Sequence, residues 1–145
     1  IIHMLRRRLG DMAFFAMMRE LHERFSRTRM TTEDLRATAA KYQPKPNPDA
    51  KLEQLFASYV DSIGIPTLKL TAKIRRTAVG VELDQGGVSE DFAVDVPLEV
   101  DYGGGKTEVR WVRTDGAKTS VDWTLKTPAV RVLLDPRNAV LAVKK

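Results

Sequence analysis

Apolar side chains recur every three or four positions over the first part of the chain and every second position over the rest, with the change at Gly64-Ile65-Pro66. The first period is that of a helix and the second that of a strand. Ile2, Leu5 and Leu9 fall at helical spacing, Gly10 supplies a stop, and Asp11 supplies an N-cap for a second helix. In that helix Phe14, Phe15, Met18, Leu21, His22 and Phe25 form an apolar face, with charges between them. Thr31-Thr32-Glu33-Asp34 reads as a capping box opening a third helix that runs to about Tyr42. Proline at alternate positions of Gln43-Pro44-Lys45-Pro46-Asn47-Pro48 removes amide donors and predicts a loop. Asp49 then caps a fourth helix bearing Leu52, Leu55, Phe56, Tyr59, Val60 and Ile63, ended by Gly64 and sealed by Pro66.

Beyond Pro66 the alternation predicts short strands. Leu68, Leu70, Ala72 and Ile74 point one way; a turn near Thr77 leads to Val79, Val81 and Leu83. The longest run sets Phe92, Val94, Val96, Leu98, Val100 and Tyr102 toward a core and Ala93, Asp95, Pro97, Glu99 and Asp101 toward water. Gly103-Gly104-Gly105 marks a tight connection to a strand presenting Val109 and Trp111, and Asp115-Gly116 a turn before Val121, Trp123 and Leu125. Val130, Val132 and Leu134 and a final apolar run from Val140 to Val143 complete seven strands. With no helix left for crossovers, the pattern predicts an α+β chain: helical residues 1–64, then an immunoglobulin-like antiparallel β-sandwich over 65–145.

Charge changes this picture little. The 145 residues carry 24 Lys and Arg against 19 Asp and Glu, an excess divided between both parts. Only Arg6-Arg7-Arg8 forms a run, which reads as a solvated helix face, so no basic stripe points to nucleic acid. Cysteine is absent, which removes disulfides and thiolate metal sites but leaves the compartment open. No apolar run has the length of a membrane span, and no signal peptide is visible. The chain opens at Ile1 inside an amphipathic pattern with no cap before it, and reads as a piece cut from a longer polypeptide.

No complete catalytic centre emerges. His22-Glu23 begins like the zinc motif H-E-x-x-H, but Ser26 occupies the second ligand position and His3 is not at motif spacing, so both histidines read as solvent-edge helix residues. Ser89 and Ser120 lack a nucleophile elbow. Gly103-Gly104-Gly105-Lys106 leads into a strand rather than the helix a phosphate loop needs. Glu90, Asp91, Asp95, Glu99 and Asp101 read as a solvated strand face rather than a calcium site. Tyr102, Trp111 and Trp123 share the parity of the inward valines, which places them in the core instead of on a base- or sugar-stacking surface.

The order of these elements resembles the aminopeptidase N family of zinc metallopeptidases. The similar strings are Ile2-His3-Met4-Leu5, Leu9-Gly10-Asp11 with Phe14-Phe15, Thr32-Glu33-Asp34-Leu35, Phe56-Ala57-Ser58-Tyr59-Val60 and Gly64-Ile65-Pro66-Thr67-Leu68, with Gln85, Val96-Pro97-Leu98 and Leu134-Asp135-Pro136 as sandwich markers. Tyr59 stands where the family commonly has tryptophan. The resemblance implies that residues 1–64 end a thermolysin-like catalytic domain and that 65–145 are the accessory sandwich behind it. The family's zinc ligands, amine-binding motif and transition-state tyrosine would all lie before Ile1. It therefore implies no catalytic and no metal residue here, and no assignable substrate-binding residue. Zinc and a peptide substrate would belong to the full-length parent. Phe14, Phe15, Leu21 and Phe25 would pack against the preceding catalytic helices, and in their absence the apolar face favours self-association. The alternative is a non-enzymatic β-sandwich module recognising a protein or carbohydrate partner, which exposed aromatics would support.

Overall fold

The computed structural model describes residues 1–45 and 49–145, so Pro46, Asn47 and Pro48 of the proline-rich segment lie outside the described residues. The chain divides into two units, Ile1–Asp61 and Ser62–Lys145.

In the first unit, α1 spans Ile2–Leu9 and α2 spans Asp11–Phe25. Between them Gly10 takes φ 80° and ψ 160°, and its amide donates to the Arg6 carbonyl to close α1. Asp11 does not cap α2 as its position suggested. Its carboxylate instead accepts from Arg6 Nε at 2.7 Å, and the cap position carries no side-chain bond. The buried row of α2 is Phe14, Met17 and Leu21, while Phe15, Met18 and His22 lie on the exposed side. Both rows satisfy three- and four-residue spacing, so periodicity alone does not say which one faces inward.

The third helix, α3, spans Thr32–Lys41, and its capping box is complete. Thr31 Oγ1 accepts from the Asp34 amide at 3.1 Å, and Asp34 Oδ2 accepts from the Thr31 amide at 2.9 Å. The fourth helix differs from expectation. Only Glu53–Phe56 is α-helical, as α4, and Ala57–Asp61 forms a π-helical turn. Asp49 does serve as a cap, accepting from the Gln54 and Leu55 amides at 3.2 and 3.0 Å. It reaches them because Leu52, fully buried, turns the chain through the left-handed region at φ 58°. The widened turn leaves Ile63 almost wholly exposed rather than on a helix face.

The second unit is a sandwich of two sheets. Its strands are β1 Thr67–Arg75, β2 Ala78–Gly86, β3 Asp95–Asp101, β4 Thr107–Arg113, β5 Lys118–Thr124, β6 Arg131–Leu134 and β7 Val143–Lys144. One sheet has the order β5-β2-β1-β7 and the other β4-β3-β6. All pairings are antiparallel except β7, which lies parallel to β1 through Thr67 and Leu68, so the sandwich is mixed at that edge. Of the final apolar run only Val143 is in a strand; Val140 is buried, while Leu141 and Val143 are exposed.

Inward rows follow the alternation in β1, β2 and β3, where Leu68, Val79, Val81, Leu83, Val96, Leu98 and Val100 are buried. Trp123 sits in register with Val79, half-buried, with the Arg110 guanidinium 5.2 Å over its ring. Tyr102 is half-buried too, and its hydroxyl donates to Glu108 Oε2 at 2.6 Å. Trp111 is not in the core. Register pairs Val96 with Val112 and Leu98 with Arg110, so Val109 and Trp111 fall opposite Glu99 and Pro97 on the outer face. The turn sets this register by closing the hairpin at Asp101 and Thr107, and a one-residue shift reverses every side chain beyond it. Nor is the outer side of β3 all water: Asp95 and Pro97 are buried.

Three polar side chains fix the loops. The amide of Gln85, at the end of β2, donates to the Phe92 and Gly116 carbonyls at 2.7 and 3.3 Å. Thr114 Oγ1 accepts from the Val94 amide at 2.9 Å. Asp135, 1% exposed, accepts from the Ala139 and Val140 amides at 2.7 and 3.1 Å.

Candidate functional site

Among the described residues no three His, Asp or Glu side chains gather as a set that could hold a metal ion. His3 lies on α1 and His22 on α2, both exposed. Ser26 follows the end of α2, where its amide donates to the His22 carbonyl. The residues present therefore do not fit a zinc centre. Ser120 lies on the outer face of β5, and the Ser89 carbonyl accepts from the Phe92 amide in the loop before β3. Gly103-Gly104-Gly105 makes the β3–β4 turn, with the Lys106 amide donating to the Gly103 carbonyl. The strand acids are engaged in pairs: Asp95 with Arg113 at 2.9 and 3.0 Å, Asp101 with Arg131 at 2.9 Å, and Glu99 with Arg137 at 3.3 Å. The amide of Gly103 and then Arg131 hold the Asp101 carboxyl below its ordinary range.

Each unit carries a concavity among the described residues. A groove of about 180 Å³ on the outer face of the four-stranded sheet opens where Gly80 lacks a side chain between Lys73 and Asp122. A cleft of about 370 Å³ in the helical unit is lined by Glu33, Arg36, Glu53, Phe56 and Asp61. Arg36 is already engaged there. Its Nε and Nη2 donate to both Glu33 oxygens at 2.8 and 2.6 Å, and Nη1 donates to the Lys51 carbonyl.

The feature that stands out is apolar. On α1 and α2, Ile2, Met12, Phe15 and Met18 are exposed, Met12 to 90% and Phe15 to 53%. Phe15 is propped edge-on against Phe14 at 5.6 Å, and the Arg6 guanidinium lies 5.2 Å from its ring centre. Arg6 is in turn held by Asp11, whose hydrogen bond raises the arginine pKa and lowers that of the acid. A second apolar feature is Trp111, 44% exposed beside Val109 on the outer face of β4. The sequence parity of the valines hid it. Only the hairpin register reveals it.

The fold defines an α+β protein in which helices are followed by a sandwich of four and three strands. No family model and no curated protein sequence matches the chain. Among solved structures it is similar to the aminopeptidase A of Legionella pneumophila, described in complex with aspartic acid, at 13% identity and a TM-score of 0.71. The likeness covers 99% of this chain and 17% of that one, so the chain spans about a sixth of the length of the protein it matches. The fold is thus one found in an aminopeptidase.

Proposed function

We propose that this chain is a structural part of a zinc metallo-aminopeptidase of the aminopeptidase N type. Its helices complete a thermolysin-like catalytic domain, and its sandwich buttresses that domain. The observation that carries the reading is a fold likeness running along virtually the whole chain while occupying a small share of a larger aminopeptidase. The exposed row Met12, Phe15 and Met18 supports it, because a contiguous apolar surface on a helix pair usually marks a face that another element covers. In the parent, zinc would supply an activated water for hydrolysis at peptide N-termini, with its ligands outside these residues. Within this chain, Phe15 and Met18 serve packing, and Gln85, Thr114 and Asp135 hold the sandwich loops rigid.

The test has two arms. The chain alone is expected to bind no stoichiometric zinc by elemental analysis and to leave aminoacyl reporter substrates intact. The longer polypeptide is expected to contain H-E-x-x-H with a later glutamate and to hydrolyse those substrates. Tight zinc binding with turnover by the chain alone defeats the reading, as does a longer polypeptide without the motif.

One observation favours a second reading, a sandwich that binds a protein or carbohydrate partner. Trp111 is exposed on the outer face of β4, where a flat ring is available for stacking. A glycan or protein ligand lost on Trp111→Ala, with sandwich stability unchanged, would select this reading over the first.

A further inference from the structure

We infer that the exposed face of α1 and α2 docks an amphipathic helix whose apolar stripe is bordered by acidic side chains. The inference rests on the reading above, in which another part of the same polypeptide covers this face, and it specifies the chemistry of the covering element.

Shape and charge both contribute. Met12, Phe15 and Met18 lie three apart on α2, and Ile2 and Arg6 stand four apart on the outer side of α1. Two neighbouring helices with an apolar row form a surface into which a third helix packs by its own three- and four-spaced side chains. Methionine at Met12 and Met18 adapts to irregular partners, and Phe15 gives a rigid anchor. The border is cationic. Arg19, one helical turn beyond Phe15, is exposed, as is Arg7 on α1; Arg7 also lies in the field of Asp11 and Arg19 in that of Tyr42. Arg27 and Arg29 are exposed just beyond α2. Asp11 is neutralised by Arg6, which leaves Glu23 as the acid on the exposed stripe of α2 without an ion pair. Opposite charge at the rim of an apolar patch selects partners and fixes orientation, and like charge rejects them. A partner bordered by glutamate or aspartate therefore fits, and one bordered by lysine does not.

The experiment uses two synthetic 18-residue helices with the same leucine stripe at i, i+3, i+4 and i+7, one flanked by glutamate and one by lysine, titrated against the chain by fluorescence anisotropy. The glutamate helix is expected to bind roughly tenfold more tightly at low ionic strength, with the preference fading in salt. Arg7→Glu combined with Arg19→Glu should abolish or invert the preference, and Phe15→Ser with Met18→Ser should weaken both helices; all four positions are exposed, and helical ellipticity checks that α1 and α2 remain folded. Equal or stronger binding of the lysine helix overturns the inference while leaving the parent reading intact. Failure of the face to bind either helix or a hydrophobic dye overturns both. Capture of the chain by phosphatidylserine vesicles in preference to the glutamate helix would also overturn it, since the cationic rim would then be serving a lipid surface.

Discussion

Replacement of Asp135 by alanine should be the most damaging single change in the sandwich. The side chain is 1% exposed and holds two amides, those of Ala139 and Val140, while Lys144 Nζ approaches its second oxygen at 3.4 Å and its carbonyl at 2.7 Å. Lys144 also donates to Asn138 Oδ1 at 2.6 Å, so one ammonium ties the turn 135–138 to β7. Truncation orphans two buried donors, each costing about 1–3 kcal/mol. It also places alanine at φ 38°, a left-handed backbone that Asp tolerates better, for about 1 kcal/mol more. The sum, about 3–7 kcal/mol, is a large share of the roughly 5–15 kcal/mol that holds a domain together. Both tryptophans lie in this unit, so urea unfolding followed by their fluorescence reports on the sandwich. At an m-value of about 1.5 kcal/mol per M, the midpoint should fall by roughly 2–5 M. Asp135→Asn keeps the backbone preference and one acceptor and should cost less than half as much. A loss below about 1 kcal/mol for alanine, or equal losses for alanine and asparagine, refutes the capping argument.

Three further outcomes follow from other contacts. Lys41, Tyr42 and Arg24 donate to the Glu20 carboxylate and hold its pKa below the ordinary range; a depressed carboxyl stabilises the fold above its unfolded pKa of about 4.3 and loses that contribution as pH falls through the folded value. Acid titration of helical ellipticity should therefore show a loss below about pH 4 that Glu20→Gln flattens, and an unchanged acid limb in that variant would count against the link between α2 and α3. Arg113→Ala leaves the buried Asp95 carboxylate without its paired guanidinium and should destabilise the sandwich by about 2 kcal/mol, reduced from a fully buried pair because Arg113 is one-third exposed. Removing both partners should restore part of that loss; a double variant no better than the single one would argue against an unpaired charge as the cause. Gly64→Ala meets a φ of +105° and would set its Cβ 3.0 Å from the Gly87 carbonyl, so urea unfolding should show a loss above about 1 kcal/mol.

The helices, the strands and the change from one to the other at Gly64-Ile65-Pro66 were legible because period and punctuation agree there. The Thr31 capping box was legible for the same reason: both partners are close in sequence and the geometry is local. What failed depended on more than the period of the element itself. Phe14 and Phe15 are adjacent, and which one turns inward is decided by the neighbouring helix rather than by α2 itself. Trp111 and Val112 are adjacent as well, and the β3–β4 hairpin chose Val112 for the core. Asp49 looked like an ordinary cap, but a left-handed Leu52 and a π-helical turn stand between it and the long helix that the apolar spacing suggested. A parallel partner for β1 has no local signature, since pairing of Thr67 with Val143 joins residues at opposite ends of the sandwich.

The buried acids supply a physical argument about what kind of part this is. Among the described residues three carboxylates are buried, and each holds part of the fold. Asp49 binds the first amides of α4, Asp95 is forked to Arg113, and Asp135 holds the turn before β7. Their oxygens fix backbone at element ends, where a rigid frame needs them. Exposed apolar side chains gather with arginines on α1 and α2, and Val109 and Trp111 are exposed on β4, and those are the materials of contact surfaces. If Trp111 binds a ligand, its substitution should abolish that binding without moving the unfolding midpoint. If the chain acts as a buttress, Phe15 and Met18 should instead control its state of association, and Trp111→Ala should leave that state unchanged.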